Sequence, residues 1–519
     1  MSSTLAYRNG VAALLLLLFA LPSFAQSFRV QCPPTTTLHP KALPAGAGEP
    51  AYTGPSVTGP NSQATGVVNG AIKCQQISGG DGYATMGDGT QTYLFAFGPL
   101  SGLADIKKGL PGTEFASVFN VVGTAADPNY NGAIGLVPDP ESTPPGQLTG
   151  HVDPRQIMDV GVMNGNMPAP TMAIDEDDEF FLTLTNVGMI MRPDLFEQHT
   201  VHFHGYPNAS AFYDGVPDAS VAINIGASFT YYYLAPDAGT YFWHCHITPP
   251  EHLQMGMVGQ IFVRPRQNRV TNGTLYHALI QQQSDPRTAC GSDVLCSTPV
   301  PPQNGVLHVK NRSNTPTLYA YNDGDGSTAY DVEYPVQIHG FDPNFHFVGM
   351  TFNPEPFTDM KDKYFMLNGR SYPDTVSQGP MQTPVADGSQ HFSQPLPALI
   401  NIPAGGKALL RISDLDVSEF QTLASLGIPM HVIGVNARLL RDLAGNDMTY
   451  LTNSITLGGG ESIDVILDAS DTTRYSAGQI FYLYTPNLDH LSNDAENFGG
   501  LMTEVHICHS VDPTTKSCT

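Results

Sequence analysis

Positive charge is what this chain has least of. Its 519 residues hold 23 Lys and Arg against 47 Asp and Glu, a net charge of −24. Phosphate binding needs a cationic face, so no nucleic-acid partner is expected. An acidic surface serves solubility, and it favours a cationic substrate or a basic partner protein. Charged residues of both signs reach only 13%, which argues against long solvent-exposed helices. Long apolar runs are missing as well, apart from Val11 to Leu21. That run is too short for a comfortable membrane span. Arg8 precedes it, and Ser23-Phe24-Ala25 follows it before Gln26. This is the order of a secretory signal with a small-residue cleavage site. An exported protein, secreted or periplasmic, is therefore expected, with no membrane span once residues 1–25 are removed.

Turn formers are abundant, with 51 Gly and 43 Pro. The length predicts two or three domains. Short runs alternate with a period of two and carry aromatic and β-branched residues: 92–97, 181–185, 229–233 and 260–263, then 408–412, 431–433 and 463–467. No strand–helix–strand alternation is visible. The pattern predicts an all-β fold of two Greek-key β-sandwich domains. Residues 26–89 read as an irregular lead-in, 90–268 as the first domain with a long loop insertion over 100–155, 269–305 as a linker, 306–510 as the second domain and 511–519 as a tail.

Seven cysteines are present, and an odd count in an exported chain leaves one thiol over. Proximity along the sequence suggests Cys32–Cys74, Cys290–Cys296 and Cys508–Cys518 as bridges. The remaining one, Cys245, stands between two histidines in His244-Cys245-His246.

Metal-binding residue types crowd into two short segments. One is His199-Thr200-Val201-His202-Phe203-His204-Gly205; the other is His244-Cys245-His246, followed by His252, Met255 and Met257. In a strand, residues i and i+2 point the same way. His202 and His204 then share a face, as do His244 and His246, and Cys245 points to the opposite face. One thiolate, two imidazoles and a weak thioether make a blue-copper set, here His199, Cys245, His252 and either Met255 or Met257. An all-imidazole set beside it suits copper, zinc or iron, and adjacency to the first site favours copper. A structural zinc site has no use for the downstream methionine. The acidic run 175–179, with Asp214 and Asp218, reads first as solvated turns and second as a cation or proton path.

These residues resemble the multicopper oxidases, laccases and two-domain relatives included, over roughly 90–505. Asn164-Gly165-Asn166-Met167-Pro168-Ala169-Pro170, Asp214-Gly215-Val216-Pro217 and Gly239-Thr240-Tyr241-Phe242-Trp243-His244 are similar to the body of a copper-bearing cupredoxin domain. The resemblance implies that His199 binds type 1 copper with Cys245, His252 and, by the family's spacing, Met257. It implies that His202, His204, His244 and His246 bind the type 2 and type 3 coppers. Cys245, His244 and His246 would carry electrons from type 1 copper to that cluster, where dioxygen becomes water. The electron donor is not readable.

Two departures from the family stand out. His252 follows Cys245 at a longer interval than in laccases, with Pro249-Pro250 between, which is similar to copper nitrite reductases. His202, however, occupies the position of those enzymes' catalytic aspartate. The second half has no His-x-His pair and resembles the copper-free middle domain of three-domain oxidases, through 367–373, 402–406 and 430–434. His431 keeps one cluster position while Ile433 replaces the other. A cluster completed between subunits of a homo-oligomer, for example a trimer, is the first expectation. His339, His346 and His490 are expected mainly as hydrogen-bonded residues and otherwise as ligands lent to a neighbour. A nitrite-reductase-like enzyme and a non-catalytic blue-copper carrier are the alternatives.

Overall fold

The computed structural model describes residues 30–36, 72–136, 154–206, 209–235, 237–268, 317–349, 356–384, 390–442 and 445–519. The expected signal segment, linker and Cys290–Cys296 bridge lie outside them. Two β-sandwiches account for the rest, so the all-β expectation holds.

The first sandwich packs two sheets. One has β1 (Ile72–Thr85), β2 (Gln91–Pro99), β5 (Glu179–Gly188) and β7 (Ser228–Leu234) in the order β2-β1-β5-β7, with the short β3 (Glu114–Phe115) on β1. The other runs β4-β9-β8-β6, from β4 (Met172–Asp175), β9 (Val258–Arg264), β8 (Gly239–His244) and β6 (His202–His204). Neighbours come from distant parts of the chain, as crossed Greek-key connections require. Phe180, Leu182 and Leu184 of β5 alternate toward the core with Tyr231 and Tyr233 of β7 and Trp243 of β8. Each such buried side chain contributes about 1.5–3 kcal/mol through the apolar area it removes from water.

One expected boundary moves. The lead-in over 26–89 is strand from Ile72 onward, because β1 pairs antiparallel with β2 and parallel with β5. Gln75, Gln76 and Ser78 of this strand are fully buried, so it lacks the apolar alternation that marks a strand in sequence. The Cys32–Cys74 and Cys508–Cys518 bridges both form, and Cys245 is a free, buried thiol. Residues 100–155 hold short helical turns at Leu103–Ile106, Ala116–Phe119 and Ile134–Leu136 where they are described. Among the described residues no helix is long and apolar enough to cross a membrane.

The second sandwich has one sheet built on Val332–Phe341, Lys407–Asp414, Ser462–Asp468 and Met430–Val435, and another on Met502–Cys508, Ile480–Tyr484 and Gln421–Leu426. The domains meet through buried polar bonds as well as apolar contact. Thr240 Oγ1 donates to Asp464 Oδ1 at 2.6 Å, and Gln260 Nε2 donates to the Arg411 carbonyl and Ser413 Oγ, both at 2.8 Å. Met167, Ala84 and Leu94 interlock with Phe341, Tyr364 and Met366.

Candidate metal centre

The site is built on the paired strands β6 and β8. Their register sets His202 opposite His244, Phe203 opposite Trp243 and His204 opposite Phe242. Strand alternation then separates two groups of side chains, as the sequence predicts.

The first group is His199, Cys245 and His252, whose ligand atoms all lie within 4.8 Å of one another. All three are fully buried. His199 is fixed by a backbone bridge to Ile223, with N–H to carbonyl distances of 3.1 and 2.9 Å. His252 sits on the short helix Pro249–Gln254, and its Nδ1 lies 3.2 Å from Cys245 Sγ. The Thr200 N–H donates to the same sulfur at 3.4 Å. Met257 closes the loop: its N–H donates to the His252 carbonyl at 2.8 Å, and its own carbonyl accepts from the Cys245 N–H at 3.1 Å.

Gly79 of β1 escaped the sequence reading. A Cβ there would lie 2.8 Å from His199 Cδ2 and 3.3 Å from Met257 Cε. The missing side chain gives the imidazole and thioether their shared space, which places Met257 beside His199. The only signal in the sequence is a Gly79-Gly80 pair within a strand.

These residues fit a metal ion. Both ring nitrogens of His199 and Nε2 of His252 are buried without a hydrogen-bond partner, and buried polar atoms rarely go unpaired. Glu197 Oε2, which the sequence reading also missed, lies 3.6 Å from His252 Nε2, too far for a good hydrogen bond. Burial pushes the Cys245 thiol up, yet the imidazoles of His252 and His199 outweigh it and hold the pKa well below its ordinary value. Burial alone would lower His252, but the thiolate beside it and Glu197 raise it to about 10. His199 is lowered, chiefly by burial. A thiolate beside imidazoles is the set a soft metal ion binds, taking the place of the proton that His252 otherwise keeps.

The second group is His202, His204 and His244, again with ligand atoms within 4.8 Å of one another. The fourth expected member, His246, has its ring 5.1 Å from that of His202 and 5.7 Å from that of His244. His202 Nδ1 is 2.7 Å from the Asp214 carbonyl, and His244 Nδ1 is 2.7 Å from the Cys245 carbonyl. Bonds of this kind fix the ring and leave Nε2 as the free ligand atom. Gly215 permits the first, since a Cβ there would meet the Val201 carbonyl oxygen at 2.0 Å. Burial pushes His244 down to about 3 and lowers His204. Neutral imidazoles packed together are ready to bind metal. Exposure is graded, from buried His244 through half-buried His202 and His246 to exposed His204. His204 faces a cavity of about 360 Å³ that Gly460, Arg438 and Glu461 of the second domain also line.

The second domain's histidines find other work. His490 Nδ1 is 3.0 Å from Gln421 Oε1, its Nε2 is 3.0 Å from Glu419, and its ring stacks on Phe365 at 3.8 Å. His431 Nε2 is 2.8 Å from Thr449 Oγ1. His339 and His346 hold the helix that carries His252: His339 Nε2 is 3.1 Å from the Leu253 carbonyl, and His346 Nε2 is 2.8 Å from the Gln254 carbonyl. The Gln254 side chain is gripped as well, donating to Asp362 Oδ1 and accepting from the Asp342 N–H, both at 3.0 Å.

Comparison with known proteins locates the similarity in this region. The Multicopper oxidase family profile matches residues 149–268. Laccase abr2 of Aspergillus fumigatus is 34% identical over 109 residues, 21% of this chain and 17% of that protein. Multicopper oxidase MCE of Talaromyces pinophilus is 33% identical over 112 residues, 21% of this chain and 17% of that one. The matched stretch is thus about a sixth of these relatives' length. Among solved structures, a blue copper oxidase from Nitrosomonas europaea superposes with a TM-score of 0.48 and 16% identity, covering 84% of this chain and 85% of that one. Residues 149–268, the stretch that matches the multicopper oxidase family profile, hold all eight ligand candidates.

Proposed function

We propose that the protein is an exported copper-dependent oxidoreductase that oxidises a donor one electron at a time and passes the electrons to dioxygen. His199, Cys245 and His252 would hold a type 1 copper with Met257 as the axial ligand. His202, His204, His244 and His246 would hold type 2 and type 3 copper. Bound copper supplies reversible one-electron chemistry at the thiolate group and dioxygen reduction at the imidazole group.

One observation carries this reading. Cys245 belongs to the first group, its neighbour His244 belongs to the second, and its other neighbour His246 has its ring 5.1 Å from that of His202. Two ligand sets on opposite faces of one strand are therefore joined by covalent bonds alone. The chain does the rest by position. Burial keeps water from Cys245 and His252, while the exposed edge of His204 leaves the imidazole group approachable. Four histidines form only one side of a larger cluster, so a homo-oligomer, such as a trimer, would supply the other side from a second copy.

Copper content per chain and the visible absorption of copper-loaded protein test the proposal. More than one copper per chain is expected, with an intense blue band lost in Cys245→Ser and oxygen uptake in the presence of a reductant. A single copper, with the blue band but no oxygen uptake, would leave an electron carrier instead.

A further inference from the structure

A second cavity lies at the other end of β9, between the two domains. It has a volume of about 250 Å³ and is lined by Lys108, Phe262 and Arg264 of the first domain, Tyr334 and Leu396 of the second, and Lys516 near the C-terminus. Val258 pairs with His244, and Arg264 is six residues further along the same strand. At about 3.3 Å per residue the cavity is roughly 20 Å from the histidines.

Its charge runs against that of the whole chain. Three of only 23 cationic side chains line this one space in a protein of net charge −24. The single acid in the lining, Glu333, is already engaged: Arg264 donates to it through Nε and Nη2 at 3.0 and 2.5 Å, and Arg411 through Nε at 3.0 Å. Among the described residues Arg264 Nη1 has no hydrogen bond. Lys108 is only loosely paired with Asp105, at 3.6 Å. Half-buried Lys516 is fixed by its backbone, whose carbonyl accepts from Asn401 Nδ2 at 2.7 Å. Among the described residues its ammonium has no ion pair or hydrogen bond. Burial lowers its pKa, so the charge is held there at a cost that an anion would offset. The Phe262 ring lies under the Arg264 guanidinium, 5.1 Å from its centroid, and Leu396, Leu399 and Tyr334 supply the apolar part of the lining.

We propose that this cavity binds a small monocarboxylate with a single-ring or similarly compact apolar body. The carboxylate would sit between Lys516 and Arg264, and the body would lie against Tyr334, Leu396 and Leu399. A volume of about 250 Å³ readily admits one ring. A compact inorganic anion would leave the apolar wall uncovered, and a neutral ring would leave Lys516 unpaired. Because the lining comes from both domains and the C-terminal segment, an occupant would tie all three together and stabilise the fold by mass action. The site is independent of copper.

Calorimetric titration and thermal unfolding of the full exported chain at low salt, with and without copper, test this with benzoate, benzamide and acetate as probes. Benzoate is expected to bind once per chain and raise the melting temperature, at least about tenfold more tightly than benzamide or acetate. Lys516→Met should weaken benzoate by about tenfold or more and leave benzamide unchanged. Leu396→Trp, which fills the space but keeps every charge, should abolish binding. The proposal fails if benzoate binds no better than benzamide, or if both variants bind it as the parent does.

Discussion

The two ligand groups sit back to back on one strand and are built on opposite principles. His199, Cys245, His252 and Met257 are all fully buried, and the helix carrying His252 is gripped from the second domain at four points. The imidazole group is graded from buried His244 to exposed His204 and opens on a cavity. A site that only passes electrons gains from fixed geometry, because any ligand rearrangement slows transfer. A site that must admit a molecule gains from access. The difference teaches that the second domain, though it lacks a His-x-His pair, still serves the thiolate group by immobilising its loop.

His346→Phe is the strongest challenge to that comparison. Burial lowers His346 to about 3, so its ring is neutral and its single N–H donates to one of the two carbonyls beside it, Gln254 or Tyr93. Phenylalanine keeps the stacking on Phe341, now 3.6 Å between centroids, but removes that donor. A buried polar group left unpaired costs about 1–3 kcal/mol, and a loss of that size is expected by denaturant unfolding. The blue band of copper-loaded protein should shift or broaden, while copper retained by the imidazole group stays constant. A stability loss with an unchanged spectrum would show that the second domain merely supports the fold.

Gly79→Ala comes next. Its Cβ would crowd His199 Cδ2 at 2.8 Å, and overpacking of this kind costs about 1–3 kcal/mol. The outcome to look for is an altered blue spectrum at near-normal copper content. An unchanged spectrum would mean that β1 does not shape the site.

His204→Asn should have a smaller effect on folding, within about 0.5 kcal/mol, because the residue is exposed. Copper held by the imidazole group should fall and the blue band should survive. Simultaneous loss of both would show that the two groups are not separable.

What could be read from sequence follows the range of the interactions. The two His-x-His pairs and the intervening cysteine are local, and strand alternation alone puts them on opposite faces. The runs at 92–97 and 229–233 likewise announce β2 and β7, because one face of each is apolar. β1 escaped because both its faces are buried and carry polar residues, Gln75 on one and Gln76 and Ser78 on the other, whose side chains bond to Thr113, Thr185 and the Gly161 carbonyl elsewhere in the fold. The grip on the Pro249–Gln254 helix was illegible for a related reason. Its partners lie 86 to 108 residues further along the chain, and His339 and His346 look from sequence as much like spare ligands as like the hydrogen-bonding residues they are.

The smallest effect on the two ligand groups comes from a change in the pH dependence of the fold, which should arise away from both. Glu114 on β3 is 7% exposed, and its Oε1 has no hydrogen-bond partner. Burial pushes its pKa from 4.5 to about 8, with Asp105 adding to the rise and Lys73 opposing it. Between those values the folded chain binds more protons at Glu114 than the unfolded chain does, so this residue makes stability fall as pH rises from about 4.5 to about 8. Glu114→Gln removes the charge while keeping the shape. It should therefore raise the melting temperature by a few degrees at pH 8–9, change little near pH 5, and flatten the slope between. Copper content and the blue spectrum should not respond. An equal gain at both pH values would mean that the carboxylate is not what burial penalises there, and a spectral change would tie β3 to the thiolate group after all.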